Sequence, residues 1–330
     1  MLTHEEHTSA LETDRTADIM KKIRHYLIEY AIVFVVLAVF IALSILSPVF
    51  LSFENIRNVL AQNAPLGIIA CGVTLVIIAG DFDLSVGAIF SLAGVVGAWT
   101  AVNVDPLLGL FVGVLAGAVV GLLNGVIVVK LSVNSFLATL ATALMIGGLA
   151  LTITGGFLID ITESVTFGYL GNESLFGLPF GIYFFVITAA LLGFVLRSTN
   201  FGRYVFAVGG NREAARLSGI RVGKIRIWAF VICGLTASLA GVLDVSKTGA
   251  GQPTVNATLP LEAIAAVVLG GTSIAGGEGA MWRTVLGVLL LALIVNGFNI
   301  LNVQPELRQL FTGAIIIAAV ALNARALVRS

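Results

Sequence analysis

Ten apolar runs follow one another along this chain, at 27–50, 58–79, 84–103, 107–129, 134–154, 178–196, 227–246, 260–275, 281–301 and 306–323. A membrane helix needs about 20 mostly apolar residues, so the pattern predicts an all-α polytopic membrane protein of about ten transmembrane helices. The eighth run is short and glycine-rich, which predicts a broken or re-entrant segment. Residues 26–325 form the expected transmembrane domain. Residues 1–25 are polar and acid-rich and are expected to be a disordered cytoplasmic tail. No cleavable signal is evident, because the first run is too long for one and lacks a small-residue cleavage site. Residues 326–330 are the expected cytoplasmic C-terminus.

The interruption that needs explaining is "GDFDLSVG", residues 80–87. From Ala64 to Val129 the only charged residues are Asp81, Asp83 and Asp105. A carboxylate near a bilayer is costly and usually faces a cavity, a partner or the water interface. Two roles stand open for the pair. Asp83 can cap the next helix while Asp81 is hydrated, or the aspartates can hold a broken-helix geometry beside a translocation path or a cytoplasmic partner.

Composition supports the membrane assignment. The 330 residues are 58% hydrophobic and 11% charged, against about 25% charged in soluble domains. Cys71 and Cys233 lie inside apolar runs and read as small buried residues. His4, His7 and His25 all precede the first run, so no metal site can be argued. Net charge is zero and points to no nucleic-acid partner.

Lys and Arg set orientation. With ten spans, the tail, the segment 197–226 and the C-terminus share one side. Adding Lys130 and Arg283 puts 15 of the 18 basic residues there. Both termini are therefore expected in the cytoplasm, and the acid-bearing segment 155–177 outside. "PLGIIACGV" at 65–73 also resembles "PLEAIAAVV" at 260–268, and each leads into a glycine-containing break. Internal repeats with irregular backbone near the substrate path are common in transporters.

Two stretches look superficially phosphate-binding. "GVLDVSKT", 241–248, misses the P-loop pattern by Ser246, and a P-loop needs a strand before it and a helix after it. "GGTSIAGGEG", 270–279, has no following Lys. ATP is not expected on this chain. Catalysis is not expected either, since no His lies in the spans to activate a nucleophile. Asp81, Asp83, Ser85, Asn134, Ser135 and Thr139 are candidates for a translocation path, being polar groups in or beside apolar runs; helix–helix hydrogen bonding is the ordinary alternative.

The basic segment holds "GGNREAARLSG". Gly209 and Gly210 predict a break. Asn211 is a good N-cap, and Gly219 suits the left-handed position that ends a helix. Glu213 in the first turn and Arg216 later favour the helix dipole. Ala214, Ala215 and Ser218 give a small-residue face that could seat in another protein's groove. A two-turn docking helix is expected here.

The E-A-A-x-x-x-G pattern, as Glu213, Ala214, Ala215 and Gly219, resembles the coupling loop of ABC importer permeases. "FGRYVFAVGGNREAARLSGI" is similar to the corresponding loop of the ribose, galactose, arabinose and xylose permeases. "GDFDLSVGAIFSLAGVV", "VNSFLATLATALMIGGLAL" and "LEAIAAVVLGGTSIAGGEG" resemble three further segments, in family order, between about Pro48 and Asn323. One departure is Phe82, where the family often has Ile. The resemblance implies a permease subunit of a monosaccharide importer in a bacterial inner membrane. It further implies a second permease subunit, cytoplasmic ATPases carrying the ATP and Mg, and an extracytoplasmic sugar-binding protein. Rival readings are a branched-chain amino acid permease, which the string around Asn211 disfavours, and an ion-coupled transporter using Asp81 or Asp83, which leaves the docking helix unexplained.

Overall fold

The computed structural model describes residues 30–254 and 258–304, with seven further positions between 306 and 317. The polar tail, the C-terminus and most of the run 306–323 lie outside the described residues. Helices α1 (Ala31–Leu46), α2 (Phe53–Ile78), α3 (Val86–Asn103), α4 (Pro106–Lys130) and α5 (Ser135–Thr154) come first. A small cap follows, made of β1 (Ile159–Asp160), α6 (Val165–Asn172), β2 (Ser174–Leu175) and β3 (Leu178–Pro179). Then come α7 (Phe180–Ser198), α8 (Asn200–Gly210), α9 (Arg212–Leu217), α10 (Val222–Thr248), β4 (Ala250–Gly251), α11 (Leu259–Leu269) and α12 (Met281–Ile300).

Seven of these helices, α2, α3, α4, α5, α7, α10 and α12, are long and apolar enough to cross a membrane. α1 and α11 are shorter apolar helices. The chain is thus a polytopic helical membrane protein. α11, with 11 residues, is about 16 Å long at 1.5 Å per residue, half of a hydrocarbon core. The cap adds what apolar periodicity did not show. β1 pairs antiparallel with β4, Ile159 opposite Gly251, and β2 pairs with β3 through a tight turn at Phe176 and Gly177, both at positive φ.

α10 is the centre, and α4 lies antiparallel along it. Gly109, Gly113, Gly117, Gly121 and Gly125 recur every fourth residue on α4. A Cβ on Gly117 would come within 2.3 Å of Gly234 O, one on Gly121 within 2.3 Å of Phe230 O, and one on Gly125 within 2.9 Å of Ile227 Cα. Gly109 and Gly113 face α3 in the same way. With no apolar driving force between helices in lipid, such backbone contact is what holds them together. α5 and α7 instead turn residues such as Leu144, Met145, Ile187 and Phe194 outward, as lipid-facing helices do.

This packing sorts the charges. Gly125 beside Ile227 puts Lys130 at the same end as the start of α10, and α7, α8 and α9 deliver Arg197 to Arg226 there. The cap lies at the opposite end with Asp160, Glu163 and Glu173. The two helices whose strings resemble each other end in similar closures. Gly80 N–H donates to Ile77 O (2.9 Å) and Asp81 N–H to Val76 O (3.0 Å) at the end of α2; Gly271 donates to Val268 O (2.8 Å) and Thr272 to Val267 O (3.2 Å) at the end of α11. The matching closures sit four residues out of the register that the apolar strings suggest. Pro65 does not break α2, which runs on through it.

Candidate functional site

The segment 80–85 is irregular backbone sunk into the bundle. Asp83, Ser85 and Thr139 are fully buried, and Asp81 is 3% exposed. Three of its backbone donors are met by side chains, as buried amides require. Phe82 N–H donates to Ser135 Oγ (3.1 Å), Leu84 N–H to Thr139 Oγ1 (3.0 Å), and Ser85 N–H to Asp83 Oδ1 (2.9 Å). Ser135 and Thr139 lie one turn apart on α5 and so meet alternate amides of the segment. Asn134 caps α5, accepting from Phe136 N–H. Ser85 Oγ also donates to Asp83 Oδ1, and Asn124 on α4 donates to Ser85 Oγ (2.8 Å). The six path candidates therefore divide. Asp83, Ser85, Ser135 and Thr139 hold one another's backbone, Asn134 is a helix cap, and Asp81 does something else.

Asp81 meets two arginines. Arg226, at the start of α10, donates through Nε to Oδ2 (2.6 Å) and through Nη2 to Oδ1 (2.8 Å). This forked pairing is the strong form of a charge-assisted bond. Arg212, the first residue of α9, donates to Asp81 Oδ1 (3.1 Å) and to Gly80 O (2.6 Å). One carboxylate thus ties the end of α2 to α9 and to α10. Sequence reasoning singled out neither arginine, because the charge rule for inner loops already accounted for them. The available signal was the buried carboxylate itself, which needs a cation close by.

α9 forms as its caps dictate. Asn211 Oδ1 accepts from Ala214 N–H (3.0 Å). Gly219, at φ +82°, donates to Arg216 O, and Ile220 donates to Ala215 O, both at 3.0 Å. These two bonds are the Schellman closure. Arg216 hydrogen-bonds Glu213 across one turn (2.7 Å), which lowers the Glu213 carboxyl below its usual range. The small-residue face needs correction. Ala215 is 4% exposed and faces the chain itself, while Ala214 and Ser218 face out and Leu217 is 77% exposed. Before α9, residues 200–210 are helical rather than loop, capped by Thr199 accepting from Gly202 N–H. Gly209 and Gly210 end that helix.

Gly209 is required by contact, not by a break. A Cβ there would lie 1.7 Å from Ile78 O, whereas Gly210 meets nothing within 4 Å. Gly277 N–H donates to the same Ile78 O (2.9 Å), and a Cβ on Gly276 would meet Gly80 Cα at 2.9 Å. "GGTSIAGGEG" is therefore a backbone junction under the ends of α2 and α8. "GVLDVSKT" is continuous α-helix within α10, so it has no P-loop geometry. Among the described residues, no group of three or more His, Cys, Asp or Glu could hold a metal. The arrangement is suited to transmitting displacement from α9 into α2, α10 and the loop before α12.

Residues 55–320 match the family model described as branched-chain amino acid transport system / permease component. The ribose import permease protein of Escherichia coli K12 is 38% identical over 302 residues, covering 90% of this chain and 94% of that protein. The Bacillus subtilis ribose import permease protein is 40% identical over 285 residues (86% and 88%). The L-arabinose transport system permease protein of E. coli K12 is 39% identical over 296 residues (88% and 89%). No solved structure matches the chain. With a family model across most of its length and relatives of this identity over nearly all of it, the chain belongs to the ABC importer permease family that includes the ribose and arabinose permeases.

Proposed function

We propose that this chain is the inner-membrane permease subunit that brings a monosaccharide or related polyol into a bacterial cell. ATP and Mg are held on separate ATPase subunits that dock on α9, a second permease subunit completes the path, and an extracytoplasmic binding protein delivers the sugar. Ten spans with both termini in the cytoplasm fit the charge distribution. The segment 80–85 moves with the cycle, since Asp81 joins it to the docking helix. The observation that carries this reading is the Arg212–Asp81–Arg226 cluster, which links an exposed, doubly capped helix to two buried spans. An ion-coupled reading is disfavoured by the same cluster, because a carboxylate bound by two arginines is poorly placed to take up a cation.

Ala214 and Leu217 are exposed on α9, so changing them tests docking without disturbing the fold. Ala214→Trp and Leu217→Asp are expected to reduce co-purification of the ATPase and transport-coupled hydrolysis, with permease yield unchanged. Wild-type behaviour of both variants in both assays would reduce α9 to an ordinary surface turn. Single cysteines at Ser218 and Ser164 are expected to label from opposite sides; labelling of both from outside would refute the orientation.

A further inference from the structure

Between α2, α3, α10 and α11, toward the cap end, lies a cavity of about 340 Å³. That volume is at the lower end of small-molecule sites, about 300–1,000 Å³. Gln62, Ser91, Asp244, Gln252 and Glu262 supply its polar wall and Phe90 an aromatic one. It shares no residue with the six path candidates read from the sequence. We propose that this cavity is the permease's sugar subsite and that it selects neutral polyhydroxy compounds. The proposal rests on the importer reading above and names the place where the cargo is held.

The chemistry follows from the wall. Each sugar hydroxyl needs both a donor and an acceptor, and amides such as Gln62 and Gln252 offer both. A carboxylate accepts from two vicinal hydroxyls at once. The Asp244 carboxylate has no hydrogen bond or ion pair among the described residues, while its backbone oxygen accepts from Thr248. Glu262 lies in the first turn of α11, where the helix dipole favours its ionised form, and accepts from Thr258 Oγ1. Ser91 Oγ donates to Gln252 O (2.7 Å), fixing the backbone at the rim. Phe90, 8% exposed, is the aromatic residue of the wall. No Lys or Arg is among the cavity's described lining residues. Two carboxylates with no Lys or Arg among the described lining residues repel an anionic cargo, so sugar acids are disfavoured.

The test uses Thr254→Cys, at an exposed position of the cavity wall, in the assembled complex without binding protein, labelled from outside by a membrane-impermeant maleimide. Cys71 and Cys233 are buried and stay in place. D-Ribose or L-arabinose in excess is expected to slow labelling by at least about threefold, as occupancy of a site requires. D-Galacturonate at the same concentration should give no protection. Asp244→Ala should abolish protection by the neutral sugar, and Gln62→Ala, at an exposed rim position, should weaken it without affecting yield. The companion measurement is uptake by vesicles holding the complete importer. Uptake of either sugar with no protection by it overturns the subsite and leaves the importer reading standing. Uptake of L-leucine and neither sugar overturns both. Protection by galacturonate equal to that by the neutral sugars overturns the charge argument and with it the proposed selectivity.

Discussion

Asp81 makes two ion pairs whose energetic weights differ. Arg226 is 13% exposed in its side chain and Arg212 44%, against 4% for Asp81. Removing one partner of a buried pair leaves an uncompensated charge, at about 3–5 kcal/mol; an exposed pair contributes about 0.2–1 kcal/mol. Arg226→Ala is therefore expected to lower the thermal midpoint of the detergent-purified complex well below wild type. Arg212→Ala should leave that midpoint within a few degrees yet reduce sugar uptake per ATP hydrolysed. Equal thermal loss in both variants would contradict the division of labour between the two arginines. Asp83→Asn keeps the Oδ1 acceptor that Ser85 uses twice, so its yield is expected to match wild type. Asp83→Ala removes both bonds, at about 1 kcal/mol each, and should express less folded protein by fluorescence-detected size exclusion. None of this pairing was legible in the sequence, because Asp81 and Arg226 are 145 residues apart and only the folded bundle brings them together.

At the scale of elements, α9 was legible because everything that defines it is local. Asn211 and Gly219 are its caps, and both act within four residues. What failed was the assignment of its face, since a six-residue helix has too few positions for periodicity to say which side meets the protein. The adjacent glycines before it separate two kinds of requirement. Gly209→Ala drives a Cβ into the carbonyl of Ile78, and overpacking of this kind costs about 1–3 kcal/mol. Gly210→Ala meets open space. The first variant is expected to be recovered at much lower yield, and the second at wild-type yield, by the same size-exclusion assay. α8 escaped the sequence reading because its apolar and basic residues were read together as one charged loop. The half-length of α11 was legible from its glycines, whereas the cap's two-residue strands leave no alternation long enough to detect.

For the whole molecule, the glycine ridge of α4 decides which parts can move. Close backbone contact along α4 and α10, with Ser238 Oγ donating to Val114 O across it, leaves little room for one helix to slide on the other, so these helices shift together. Motion from α9 reaches that paired body through Arg226, and otherwise passes through the end of α2 and the loop before α12, where Gly80, Gly209 and Gly276 meet. Gly117→Val is expected to abolish folded protein, because its Cβ would sit 2.3 Å from Gly234 O. Gly148→Val, on α5 with nothing within 4 Å, should be neutral in yield and uptake. Equal effects would mean that the ridge is not a structural seam. The ridge also sets a schedule for biogenesis. α4 leaves the ribosome roughly ninety residues before α10 begins, which at about 5–20 residues per second is a wait of roughly 5–20 seconds. During that interval the α10-facing part of the groove is bare backbone in lipid, with α3 the partner already made. A truncated chain ending before Val222 would carry that groove permanently open, a ready target for the quality-control proteases of the membrane.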